Sequence, residues 1–257
     1  MIRAYRSEWS KIRRWSILAA AIAMIGLSAL VGYFGLALIH RRHDSAVYIL
    51  HIKQSGGLVF LLSHGADLYL VIALIVVAAS MGEEWSHGTL RMLLVYESHR
   101  MQLFIGKFLA LFTYLAISAF VAIAVGSLIT ILVAPSVGVS AAAWTTSAGL
   151  HQLWNFLGNF AICLIGLTVF GALIGILLRS AAAAVGVALA YWLVVENLVV
   201  ALVPQVGHWL IGELLISVLQ GGTSTVSYSA ALAWSSVYVV AFIIIALCFV
   251  RFSDILA

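Results

Sequence analysis

Charge is what this sequence most lacks. Only 9% of its 257 residues are Asp, Glu, Lys or Arg, while 64% are hydrophobic. Soluble domains average about 25% charged residues, and a soluble globule of this length cannot hide so much apolar surface. The composition is that of a polytopic membrane protein. Proline is scarce, at two residues, which excludes proline-rich and collagen-like classes. Cysteine is equally scarce: Cys163 and Cys248 sit far apart inside apolar segments. With no CxxC or Cys/His spacing, they read as packed membrane side chains, not as a disulfide or a metal site. A phosphate-binding G-x-x-x-x-G-K-[ST] loop is also missing. Gly106-Lys107 lacks both the upstream glycine and the following Ser or Thr.

What the chain does have is long apolar runs. A spanning helix needs about 20 such residues, and six segments qualify: Ser16 to Ile39, Leu58 to Met81, Phe108 to Val133, Leu153 to Leu178, Ala181 to Val203, and Ala230 to Val250. The fold class expected is therefore all-α with six transmembrane helices. Basic residues set the orientation. With the N-terminus in the cytoplasm, ten of the 13 Lys and Arg residues fall on the cytoplasmic side, and only Arg41, Arg42 and Lys53 fall outside. That satisfies the positive-inside rule and puts both termini in the cytoplasm. Arg3, Arg6, Lys11, Arg13 and Arg14 account for the basic N-terminus, so the net charge of +4 reflects topology, and no nucleic-acid partner is indicated. The apolar run after them is too long for a cleavable signal core.

Three shorter segments have their own character. In residues 1–15, Ile2, Tyr5, Trp9, Ile12 and Trp15 recur at helical spacing between charged residues. That is the pattern of an amphipathic helix lying in the membrane interface. Residues 204–222 are apolar but short, with His208 and Glu213 inside them, and are expected to be re-entrant on the outer side rather than a seventh span. The connection from Ala134 to Gln152 carries no Lys or Arg, and Pro135 ends the helix before it.

The polar stretch from Glu83 to Lys107, EEWSHGTLRMLLVYESHRMQLFIGK, lies between the second and third apolar segments. A charge at the bilayer centre costs roughly 3 kcal/mol or more, so this stretch lies outside the lipid. Its pattern of Glu83, Glu84, Gly88, Thr89, Arg91, Leu93, Leu94, Arg100 and Lys107 resembles the segment after the second membrane helix of ABC-2 type transporter permeases. The resemblance implies a cytoplasmic coupling helix that meets a separate ABC ATPase subunit. Glu83, Glu84, Trp85, Gly88, Thr89, Arg91, Arg100 and Lys107 are then the candidate coupling residues. It also implies that residues 1–15 are the family's elbow helix, that the permease works beside a second permease chain, identical or related, and that ATP and Mg are held by the partner ATPase. No cofactor is expected in this chain.

Four polar residues inside spans are candidates for a substrate pathway. An intramembrane carboxylate is a functional hypothesis by default, which singles out Glu196 with its neighbour Asn197. Asn155 and Asn159 are one turn apart and share a helix face, lining a path or joining two helices. Asp67 is a weaker candidate near the outer interface. His40 and His43 flank Arg41 and Arg42, with His51 nearby; the two arginines repel a metal cation, and no metal site is expected. Glu83 and Glu84 do not complete a membrane-protease motif, because Gly88 stands where that motif calls for Arg.

The expected protein is thus a single permease domain over 1–257 in the cell membrane, without catalytic residues of its own. It is expected to export an amphiphilic or apolar substrate, such as a drug, a peptide antibiotic or a lipid-like molecule. The alternative is a stand-alone membrane immunity or assembly protein that needs no ATPase.

Overall fold

The computed structural model describes residues 52–86 and 100–252, with isolated helical positions at Ile22, Ile25, Gly26 and Leu30. The expected elbow helix at 1–15 and most of the first span lie outside the described residues. All regular structure among the described residues is helical. In chain order it comprises α1 (Gly57–Ser86), α2 (Arg100–Val133), α3 (Ser147–Leu178), α4 (Ala181–Leu189), a π-helical turn (Ala190–Val195), α5 (Glu196–Leu202), α6 (Ile211–Leu219) and α7 (Tyr228–Phe252). Short 3-10 turns at Ala134–Val137, Ala141–Ala143 and Pro204–Trp209 link them. Five described helices are long and apolar enough to cross a membrane: Gly57–Glu83, Ile105–Ser136, Ser147–Leu178, Ala181–Leu202 and Tyr228–Phe249. They coincide with the second to sixth expected spans.

The helices run further than hydropathy marks. α1 continues to Ser86 and α2 starts at Arg100, so both ends of the expected coupling segment are helical stems. Backbone hydrogen bonding carries a helix on past the point where its side chains turn polar. Residues 204–222 form a 3-10 turn and the nine-residue α6. At 1.5 Å per residue α6 is about 14 Å long, well short of a roughly 30 Å hydrocarbon core. Residues 204–222 therefore hold no helix long enough to be a further span.

The chain divides into two compact units. One holds, of the described residues, 52–69 and 116–161. Here Trp144, 1% exposed, donates its indole N–H to the Ile52 carbonyl at 2.8 Å. The Tyr69 and Ser118 hydroxyls meet at 2.7 Å, and the Tyr69 ring stands edge-on to Phe160. A narrow hollow beside Tyr69 is walled by Gly65, Ala66, Ala119, Ala122 and Gly126.

The other unit holds 70–86, 100–115 and 162–252. Its core joins α3 to α7 through Leu173, Ile176 and Ala246, with Phe242 and Phe249 packed against them. α1 and α3 cross closely at Gly175, where an added Cβ would meet Met81 Cβ at 2.6 Å and the Ala78 carbonyl at 2.8 Å. Only a residue without a side chain lets the two backbones approach this far. α3 ends at Leu178, and the left-handed backbone of Arg179 after it (φ 52) turns the chain into α4 within two residues. Its guanidinium lies 5.2 Å from the centre of the Phe249 ring, within cation–π range.

Candidate functional site

Two places gather the polar residues that the apolar sequence makes conspicuous, and both lie in the second unit. The first is the pair of stems at Glu83 and Lys107. Glu83 is exposed at the end of α1. Lys107, one turn into the apolar part of α2, is only 6% exposed, and its ammonium donates to the Ser80 carbonyl at 2.7 Å. A buried ammonium needs such an acceptor, and an oxygen on the neighbouring helix is what it takes. Lys107 therefore ties the two stems together side by side instead of presenting its charge to solvent. Glu84, Trp85 and Arg100 stand on the helical stems. Gly88, Thr89, Arg91, Leu93 and Leu94 lie outside the described residues.

The second place is Glu196. It is 4% exposed and follows directly on the π-turn. Its Oε1 accepts the Gly212 N–H of α6 at 2.8 Å, and the Tyr191 hydroxyl hydrogen-bonds the same carboxylate. A Cβ on Gly212 would collide with that carboxylate, so glycine is needed at this contact. Asn197 is exposed, and its amide donates back to the Leu193 carbonyl at 3.0 Å. A π-turn leaves carbonyls without their usual i+4 partner, and Asn197 supplies one. Phe170 packs against Tyr191, with ring centres 5.1 Å apart, and holds it in place.

Asn155 and Asn159 stand one turn apart on α3, in the first-described unit. The Asn155 amide reaches His151 Nδ1 at 3.3 Å and is exposed, whereas Asn159 is half-buried. The four proposed pathway residues thus fall in two units. Asp67 is half-buried on α1, and its Oδ1 has no hydrogen-bond partner among the described residues.

Sequence reasoning missed Tyr191, Gly212 and the Ser80 carbonyl. Tyr191 and Glu196 are five residues apart, which is not an α-helical neighbour spacing. Gly212 and Ser80 act through the backbone, which no side-chain pattern reveals. The one available signal was a glycine in the first turn of a short apolar helix.

Comparison with known proteins gives a family match. The family model described as ABC-2 family transporter protein matches residues 4–195, a stretch that includes both stems and the π-turn. No curated protein matches the chain.

Proposed function

The chain belongs to the ABC-2 family of transporter proteins, and on that premise we propose that it is the membrane-spanning permease subunit of an ATP-driven exporter. The observation that carries this reading is the family match across residues 4–195, which takes in the whole polar segment between the second and third spans. A separate ABC ATPase, holding ATP and Mg, docks on that segment from the cytoplasm. Glu83, Glu84 and Trp85 on one stem, Gly88, Thr89 and Arg91 between the stems, and Arg100 on the other form the docking surface. Acidic and basic side chains on such a surface give charge-assisted contacts with a partner. The tie from Lys107 to Ser80 supports a further step. Because the two stems are joined, a push on the segment moves α1 and α2 together.

Two permease chains stand side by side in the cell membrane, since six spans are few for a complete pathway. ATP binding closes the ATPases, shifts the coupling segment and rearranges helices where the permeases meet. The cargo is amphiphilic or apolar, in keeping with spans that carry few fixed charges. Asn155, Asn159 and Asn197 are the polar groups proposed to meet it, with Asp67 a weaker candidate. α6 lies at the outer face, and both termini are cytoplasmic.

The test is purification from native membranes in detergent, with ATP hydrolysis measured for wild type, Glu84→Ala and Arg91→Ala. An ATPase that co-purifies with wild type and loses binding or turnover in the variants supports the coupling surface. A chain that purifies with no ATPase sinks the exporter reading in favour of a stand-alone membrane protein.

A further inference from the structure

The first turn of a helix presents N–H groups that have no partner inside the helix, and in a bilayer each must find one. α6 has no capping side chain of its own, because Leu210 occupies its N-cap. The partners come from the fifth span. Gly212 donates to Glu196 Oε1. Ile211 donates its N–H to the Tyr191 hydroxyl, which donates in turn to the Glu196 carboxylate. On an α-helix two residues five apart point about 140° away from each other. The π-turn, with its i to i+5 bonding, brings Tyr191 and Glu196 onto one face.

α6 is fixed at two further points. The Cys163 thiol on α3 donates to the Leu215 carbonyl at 3.1 Å, and Ser217 Oγ donates to the Val226 carbonyl just ahead of α7. One short helix is thereby fastened to the fourth, fifth and sixth spans.

We infer that Tyr191 and Glu196 are positioning residues that cap α6 from the neighbouring span, and that transport needs the hydrogen bonds Glu196 accepts rather than its negative charge. This departs from a place for Glu196 in the substrate pathway: its oxygens are engaged with backbone and tyrosine, and almost none of the residue reaches the surface. The transport half of the inference rests on the exporter reading, and the capping half does not.

The experiment compares Glu196→Ala, Glu196→Gln, Gly212→Ala and the double variant Glu196→Ala/Gly212→Ala, each purified with whatever subunit accompanies the chain. Thermal unfolding in detergent tests the contact. Gly212→Ala should lower the midpoint by several degrees, through collision with the carboxylate, and should cost little more once Glu196 is already Ala. Additive losses would overturn the cap. ATP hydrolysis and export then test its use. Glu196→Gln, whose amide oxygen still accepts the Gly212 N–H, should keep at least half of wild-type activity, while Glu196→Ala should lose about ten-fold. Glu196→Gln failing as badly as Glu196→Ala would show that the charge or its proton is required, and would end the inference. Should no ATPase accompany the wild-type chain, the exporter reading fails, and the unfolding comparison still decides the cap.

Discussion

At the scale of single residues, the polar side chains among the described residues bind mostly the chain's own backbone. Lys107 holds the Ser80 carbonyl, Glu196 the Gly212 N–H, Asn197 the Leu193 carbonyl and Trp144 the Ile52 carbonyl. The sequence singled out Glu196 and Asn197 as polar residues inside a span, and Lys107 as a candidate coupling residue. It could not name those partners, because a backbone carbonyl is present at every position. Side-chain pairs are fewer. In Tyr69–Ser118, removal of either hydroxyl, as Tyr69→Phe or Ser118→Ala, should cost about 0.6 kcal/mol and under roughly 2 kcal/mol, the range of interhelical hydrogen bonds in membranes. The Tyr69 ring keeps its packing on Phe160 in the first of these. Reversible unfolding in mixed micelles would measure the loss, and a loss above about 3 kcal/mol would mean that the pair carries more than a hydrogen bond.

At the scale of elements, five of the six expected spans are helices whose ends differ from the hydropathy boundaries by a few residues. Length and apolarity alone specify a membrane helix, which is why these were legible. The junctions were not. The π-turn, AYWLVV, has no composition that separates it from ordinary helix. The expected short helix after the fifth span was legible from its length, but its attachment to three spans was not. The joined stems of α1 and α2 lead to a prediction. Lys107→Met keeps the bulk of the side chain and removes its tie to Ser80. A hydrogen bond from a charged group is worth about 1.5–3 kcal/mol. The variant should therefore retain the ATPase subunit on purification while export falls about ten-fold or more. Loss of the ATPase itself would instead make Lys107 part of the docking surface.

At the scale of the whole molecule, the thin scatter of charge is the basis for an orientation that can be tested. On the positive-inside rule, ten basic residues against three, we propose that the turn after α3 faces the cytoplasm and the start of α1 the outside. In a background with Cys163 and Cys248 replaced, Lys53→Cys should react with a membrane-impermeant maleimide on intact cells. Ser180→Cys should react only after the cells are opened. The reverse pattern would invert the topology and remove the coupling segment from the cytoplasm. The π-turn has a consequence for the molecule as well. It accommodates one residue more than a regular helical turn, so the span before it and the span after it are out of phase by about 100°, the rotation of a single helical residue. The fifth span is in effect two half-helices that can face different neighbours: the Ala181–Leu189 half is phased to its own surroundings, and the Glu196–Leu202 half to α6. Losing any one residue between 190 and 195 would bring the halves back into phase and swing the carboxylate away from the helix it caps, with every side chain in both halves chemically unchanged.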